Sequence, residues 1–234
     1  MIAMLSDIHG NFPALVAVMN EIDRLGCRQV FSLGDVAGYY CMINECIGML
    51  RERSIIHLLG NHDYYLIQDL PCPRSGAATA CLEYQRKVVL KEHLRWLRSS
   101  KKSLRHNNMS MVHGGWIDPI EEYLYEISER YFSGLEGEIF LSGHTHVQKL
   151  FRFSEKSYCN PGSVGQPRDG DARASFAVIT DDEIHLRRVE YDIDEIASRM
   201  EKSGFESHFY SNLYQGARIG GLLSNVREES SRQV

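Results

Sequence analysis

The sequence predicts an α/β protein with its chemistry gathered beyond the carboxyl ends of its strands. Three observations predict it: five short apolar runs in the first 150 residues, helical periodicity between the first three of them, and a ligand-type side chain just after each run. Buried strands of a parallel sheet read as short, nearly continuous apolar runs, and the helices crossing between them carry apolar residues three and four apart.

In chain order the first run is IAML at 2–5. A helix-like segment at about 12–25 follows, with Leu15, Val18, Met19 and Ile22 at helical spacing, then VFSL at 30–33, a second helix-like segment at about 43–53, and IIHLL at 55–59. MSMV at 109–112 and IFL at 139–141 complete the set, and the alternation predicts a mainly parallel sheet. From about 147 the texture changes to FRF, SYC, ASFAVIT and EIHLRRVEY, with Asp181 and Asp182 as a hairpin turn between the last two; this predicts a second, more antiparallel sheet. Residues 86–105 hold eight of the 26 basic residues, Arg86, Lys87, Lys91, Arg95, Arg98, Lys101, Lys102 and Arg105. The expected arrangement is a solvated helix face with Val89, Leu94 and Leu97 turned inward; the sharper alternative is a cap that steers a polyanion. No repeat or low-complexity linker divides the chain. Residues 1–192 are therefore expected as one domain, and 193–234 as a helical extension and polar tail of the same unit, frayed through NVREESSRQV.

The composition, 43% hydrophobic and 24% charged over 234 residues, is that of a soluble globular protein, and no apolar run nears the roughly 18 residues a membrane helix needs. MIAMLSDIHG reads as the start of the fold, because Asp7 arrives before a secretory core could be completed. The six cysteines, Cys27, Cys41, Cys46, Cys72, Cys81 and Cys159, form no C-x-x-C pair and fit reduced core residues of a cytoplasmic protein. A net charge of −5 gives no bulk attraction to nucleic acid, so an anionic substrate would have to be drawn locally.

After the five runs come, in order, Asp7 and His9; Asp35; Asn61, His62 and Asp63; His113; and His144 and His146. Singly these are ordinary. Asp7-x-His9 puts two ligand-type side chains on one side of an extended segment, but an isolated D-x-H is usually a surface loop. Gly34-Asp35 and Gly60-Asn61-His62-Asp63 alone would be turns, and His113-Gly114-Gly115 a turn with a satisfied histidine. His144-x-His146 is more telling, since paired imidazoles suit a metal better than a core. Their joint placement after every strand-like run, with glycine beside most of them, would be an improbable accident. His57, His93, His106, His185 and His208 read as structural or surface residues.

With Asp7-x-His9, Gly34-Asp35, Gly60-Asn61-His62-Asp63, His113 and Gly143-His144-x-His146 in that order, the chain resembles the calcineurin-like metallophosphoesterases. The likeness covers roughly residues 1–190, and Asn160-Pro161-Gly162-Ser163-Val164-Gly165-Gln166-Pro167-Arg168 resembles a block of the small bacterial phosphodiesterase-like branch. The resemblance implies a four-layer α/β/β/α fold, a two-sheet β-sandwich flanked by helices, with the metal site at one edge. It implies that Asp7, His9 and His146 hold one divalent ion and Asn61, His113 and His144 another, with Asp35 bridging them.

Imidazole, carboxylate and amide oxygen without thiolate suit manganese, iron, zinc, nickel or cobalt, and do not choose among them. Two such ions leave the site cationic against Asp7 and Asp35, and a pair roughly 3.5–4 Å apart can sharpen a bridging water into hydroxide and absorb phosphoryl charge. His62, next to a ligand and pointing the other way in an extended segment, is the candidate general acid for the leaving group, with a hydrogen-bonding role behind the ligands as its plainer alternative. The protein serine/threonine phosphatases of the superfamily continue the second block into Asp-Arg-Gly, whereas here it reads Asp35-Val36-Ala37-Gly38-Tyr39-Tyr40. That weakens a protein-phosphatase reading and leaves His62 without an evident orienting partner, Asp63 being a poor candidate. Arg168 is the candidate phosphate contact in compensation, unless it is a solvated loop residue. The Asn160–Gly165 segment reads as a structural turn in preference to an anion cradle.

The expected activity is metal-dependent hydrolysis of a phosphodiester or nucleotide-type small molecule, dinucleoside polyphosphates among them, with phosphomonoesterase or protein phosphatase as the enzymatic alternative. A retromer subunit of this superfamily uses the fold as a non-catalytic protein scaffold. The presence of His62 and all seven candidate ligands argues against that reading here.

Overall fold

The computed structural model describes residues 1–181 and 183–229. The elements run β1 (Ile2–Leu5), α1 (Phe12–Leu25), β2 (Gln29–Ser32), α2 (Ile43–Glu52), β3 (Ile56–His57), α3 (Asn61–Gln68), α4 (Gly76–Val88), α5 (Lys91–Leu97), β4 (Ser103–His106), β5 (Met109–Val112) and β6 (Glu126–Ile127). They continue through α6 (Glu129–Phe132), β7 (Ile139–Leu141), β8 (Lys149–Arg152), β9 (Ser157–Asn160), β10 (Ala174–Ile179), β11 (Ile184–Val189), α7 (Ile193–Lys202) and β12 (Arg227–Glu228).

α1 forms where its periodicity predicts it. Asn11 caps its first turn by accepting from the Ala14 N–H, Pro13 occupies a position where its missing N–H costs nothing, and Gly26 closes it in the left-handed region. Its buried stripe of Ala14, Leu15, Val18, Met19 and Ile22 packs on β10 and α7.

Two five-stranded sheets stack face to face. One has the order β11-β10-β1-β2-β3, with β1, β2 and β3 parallel and β10 and β11 antiparallel. The other has the order β4-β5-β7-β9-β8, with β5, β7 and β9 parallel and both edge strands antiparallel. The alternation of side chains along a strand explains how each sheet serves two cores. In β1, Ala3 and Leu5 face the helices while Met4 faces the other sheet, and in β10 Phe176 and Val178 divide from Ala177 and Ile179 in the same way. Met4, Phe31, Leu58, Met111, Leu141 and Cys159 fill the inter-sheet layer. The outer face of the second sheet is covered by α6 and aromatic loops through Phe132, Phe140 and Tyr158.

The five early runs therefore do not share one mainly parallel sheet. The first three join the late strands β10 and β11, and the fourth and fifth join β8 and β9. Periodicity reports that a strand is buried on both faces, and not which of two stacked sheets it enters. The long excursion through α3, α4 and α5 carries the chain across. The basic stretch at 86–105 is likewise not one helix: it spans the end of α4, all of α5 and most of β4. Leu97 is buried as expected, with Val89 and Leu94 partly so. The β10–β11 hairpin closes with the Thr180 N–H donating to the Glu183 carbonyl; Asp182 of the expected turn lies outside the described residues. Of the segment expected to fray, residues 227–228 pair with β6, and residues 230–234 lie outside the described residues. No helix among the described residues is long and apolar enough to cross a membrane.

Phe176 is fully buried, and its truncation leaves a cavity that the two layers cannot close. Phe176→Ala is expected to lower stability by about 3–5 kcal/mol in denaturant melts, against less than about 1 kcal/mol for the part-exposed Leu186→Ala. Equal effects would mean that β10 does not lie between helices and sheet as described.

Candidate metal centre

The ligand-type side chains reach one place because the backbone turns sharply after β1, β2 and β7. Among the described residues, eight other than glycine have positive φ, and five of them are Asp7, His9, Asp35, His144 and His146. Such conformations cost side-chain-bearing residues energy and persist only where the surroundings enforce them. Asp7 and His9 are thus not on one side of an extended segment: their side chains converge through two left-handed turns at φ 54° and 52°. Asn61 and His62 are not extended either, since they open α3, and the turn of the helix separates their directions. Gly60 is required here, because a Cβ on it would come within 2.1 Å of Asp35 Oδ1. Gly38 is required too, since its Cβ would lie 2.3 Å from His9 Nδ1.

Two clusters result, Asp7 with His9 and His146, and Asp35 with His113 and His144, each with ligand atoms within 4.8 Å of one another. His9 Nε2 and His146 Nε2 are 3.0 Å apart, and Asp7 Oδ1 lies 3.2 Å from His146 Nε2. In the second cluster His113 Nε2 is 3.1 Å from Asn61 Oδ1, 3.2 Å from His144 Nδ1 and 3.3 Å from Asp35 Oδ2. The same Asp35 oxygen is 3.9 Å from His9 Nε2, which puts it between the clusters.

Hydrogen bonds fix which ring nitrogens carry lone pairs. The Nδ1–H of His9 donates to the Ala37 carbonyl at 2.6 Å, that of His113 to Leu33 at 3.0 Å and that of His146 to Gln166 at 2.7 Å. A carbonyl only accepts, so the three Nε2 atoms face the clusters as acceptors. Each carboxylate is held the same way: Asp7 Oδ2 accepts from the His144 N–H and Asp35 Oδ1 from the His62 N–H. Asp7 Oδ1 and Asp35 Oδ2 are buried with no hydrogen-bond partner. Burial, and after it the neighbouring charges, holds His9 and His144 well below the ordinary imidazole range and His146 down to about 4. Burial drives Asp35 up. In His113 burial works downward, but the Asp35 and Asp7 carboxylates outweigh it and raise the ring. Converging, unpartnered acceptors of this kind fit divalent cations and fit little else.

Asp63 holds the scaffold around them. Its Oδ2 accepts from the Asp35 N–H at 2.8 Å, the Gly60 N–H at 3.0 Å and His57 Nε2 at 2.9 Å, and its Oδ1 from the Ala37 N–H at 2.9 Å. Asp63 spends its carboxylate on these groups and does not orient His62, whose Nδ1 is buried without a partner. His57, a structural or surface residue by the sequence, is a buried hydrogen-bonding member of this hub. Burial works upward on Asp63, and His57 with the donated N–H groups outweighs it.

A cavity of about 450 Å3 opens beside the clusters, and Asn61, His62, Tyr39 and Arg168 line it. Arg168 is buried, with Nε and Nη2 donating to Gln166 Oε1 and its guanidinium 5.3 Å from the Tyr39 ring centre. It is not a solvated loop residue. The Asn160–Gly165 segment is a structural turn: the Val164 and Gly165 N–H groups donate to the Ser6 and Asp7 carbonyls and have nothing left for an anion. No residue of the basic stretch at 86–105 lines the cavity; its other cations are Arg74 and Arg218. Neither was marked by the sequence, since neither stands near a strand-end motif. Tyr123, whose ring stacks 3.7 Å from that of His144, was equally invisible.

Residues 1–183 match the calcineurin-like phosphoesterase superfamily domain. An uncharacterized protein of Methanocaldococcus jannaschii is 32% identical over 241 residues, covering 92% of this chain and 98% of that protein. A metallophosphoesterase of Sphaerobacter thermophilus superposes with a TM-score of 0.82 at 30% identity, over 92% of this chain and 98% of that one. A hypothetical protein of Pyrococcus horikoshii gives the same TM-score, 0.82, at 21% identity over 93% and 100% of the two chains, which shows a shared fold. With the matched region containing both side-chain clusters, the chain belongs to the calcineurin-like phosphoesterase superfamily.

Proposed function

We propose that this chain is a two-metal phosphoesterase acting on a phosphodiester or nucleotide-type small molecule. The observation that carries the reading is the meeting of seven buried ligand-type side chains with a cavity containing His62 and a buried arginine. Asp7, His9 and His146 would hold one ion, Asn61, His113 and His144 the other, and Asp35 would serve both. A bound divalent pair supplies Lewis acidity toward phosphoryl oxygens and lowers the pKa of water.

The remaining work falls to the chain. Arg168 presents a desolvated positive charge to a phosphoryl oxygen, with its direction set by Gln166 and Tyr39. His62 stands at the cavity wall to hand a proton to the departing oxygen. Burial first, then the Arg168 charge, pushes its ring down to about 3, so it is neutral at rest. An anionic group beside Arg168 offsets the guanidinium's share of that shift, while burial continues to oppose the proton. The cavity volume, about 450 Å3, is that of a small-molecule site, which favours a small substrate over a folded phosphoprotein. A pure interaction scaffold has no use for buried, converging acceptors that raise the energy of the folded state.

Protein purified without chelator is expected to carry two divalent ions per chain by elemental analysis, and Asp35→Asn to carry fewer. With added manganese, bis-p-nitrophenyl phosphate should be hydrolysed faster than the mono ester; background diester turnover beside strong monoester turnover would reverse the preference. His62→Ala should lose about a hundredfold or more in turnover with metal content unchanged. Full turnover in that variant would remove His62 from the mechanism.

A further inference from the structure

The segment after α7 contributes to the cavity although the matched superfamily domain ends at residue 183. Gly216, in the left-handed region, seats against the Asp171 backbone, which a Cβ would approach to 2.5 Å, and its carbonyl accepts from the Gly170 N–H. The chain then crosses: the Ser224 N–H donates to the Arg168 carbonyl at 2.7 Å, the Arg227 N–H to the Tyr125 carbonyl at 3.0 Å, and β12 pairs with β6. Residues 216–228 are thus a strap tied to both rims of the cavity. Its Arg218, Ile219 and the exposed Leu222 line the cavity.

Arg218 is held for a purpose other than pairing with an acid. Its Nε donates to Ser224 Oγ at 2.8 Å and its Nη2 to the Tyr125 hydroxyl, with the guanidinium 5.9 Å from the Tyr125 ring centre. Among the described residues no carboxylate lies within ion-pair distance of Arg218 or of the buried Arg168, whereas Arg74 is neutralised by Glu121. Ser224 takes the Arg218 guanidinium on its hydroxyl and donates its N–H to the Arg168 main chain, and both arginine side chains line the one cavity, Arg168 as its buried inner tier and the half-buried Arg218 as its outer one. Tyr125 stacks on Tyr123 at 5.3 Å, and with Ile219 and Leu222 it gives the outer tier a flat, apolar border.

We infer that Arg218 is a specificity residue that binds a second phosphate adjoining the scissile one, making organic pyrophosphates of the nucleoside diphosphate type the preferred substrate class. A single phosphate at the inner tier satisfies Arg168 and leaves Arg218 without an anion. A second phosphate one bridging oxygen away satisfies both, and the tyrosine and aliphatic border receives the organic group. This assignment rests on the phosphoesterase reading above.

The test is calorimetric binding of α,β-methylene ADP, which is not cleaved between its phosphates, and of AMP to the manganese-loaded protein. Wild type should bind the two-phosphate ligand about tenfold or more tightly than AMP, and Arg218→Gln should bring the ratio within about threefold. Arg218→Lys, which keeps the charge, should retain most of the preference. A wild-type ratio near one, or a ratio unchanged in Arg218→Gln, overturns the assignment, as does a Lys variant that loses as much as the Gln variant. Wild-type turnover of bis-p-nitrophenyl phosphate is measured alongside. Its absence with the binding ratio intact sinks the hydrolase reading and leaves Arg218 as a diphosphate-binding residue.

Discussion

Two neutral imidazoles, His9 and His146, point lone pairs at each other across 3.0 Å of buried space, because each has committed its one N–H to a backbone carbonyl. Nothing in a protein interior relieves that arrangement except a proton or a cation, and burial disfavours the proton. The second cluster gathers Asp35 Oδ2, Asn61 Oδ1 and His113 Nε2 as closely, and there the carboxylates raise the His113 ring against its burial. The surrounding structure follows from the need to hold mutually repelling acceptors together until a cation joins them. Left-handed turns after three different strands aim the side chains, glycines let the loops touch, and backbone carbonyls fix the tautomers.

Such a site tolerates little looseness, and Asp63 shows how the looseness is removed. One carboxylate ties the loop after β2, the turn before α3 and the end of β3 through His57. Its charge is spread over several donors and one imidazole, so it is stable while buried and stays out of the clusters. The rigidity of Asp35 is therefore inherited from a residue that grips its backbone N–H and contributes no ligand atom to either cluster. His62 contrasts with it: its Nδ1 has no partner, and its place is set by aromatic neighbours at His9, Tyr39 and Tyr65.

The chain's net charge of −5 does not oppose an anionic substrate, because the field that matters is local. Arg168 is buried and Arg218 partly so, and neither is neutralised by a carboxylate among the described residues. The basic residues at 86–105, more numerous, lie outside the cavity. Position and dehydration outweigh number, since a screened surface charge acts weakly beyond a Debye length of roughly 8–10 Å.

The sequence by itself determined five strands, β1, β2, β3, β5 and β7, the helices α1 and α2, and the residues that meet at the strand ends, because burial periodicity and strand-exit chemistry are local properties written in adjacent residues. Asp7, His9, Asp35, Asn61, His113, His144 and His146 could be named from their places after apolar runs, and the structure brings them into two adjoining clusters. The division of strands between two sheets, the left-handed turns that aim Asp7 and His9, the pairing of His57 with Asp63, and the approach of Arg74 and Arg218 were decided only by tertiary structure. Each depends on groups distant in the chain meeting across a packed interface. Arg218 makes the point sharply: its meaning comes from Ser224 and Tyr125, one six residues away and the other ninety-three, and no spacing rule links a C-terminal arginine to a tyrosine on the far rim.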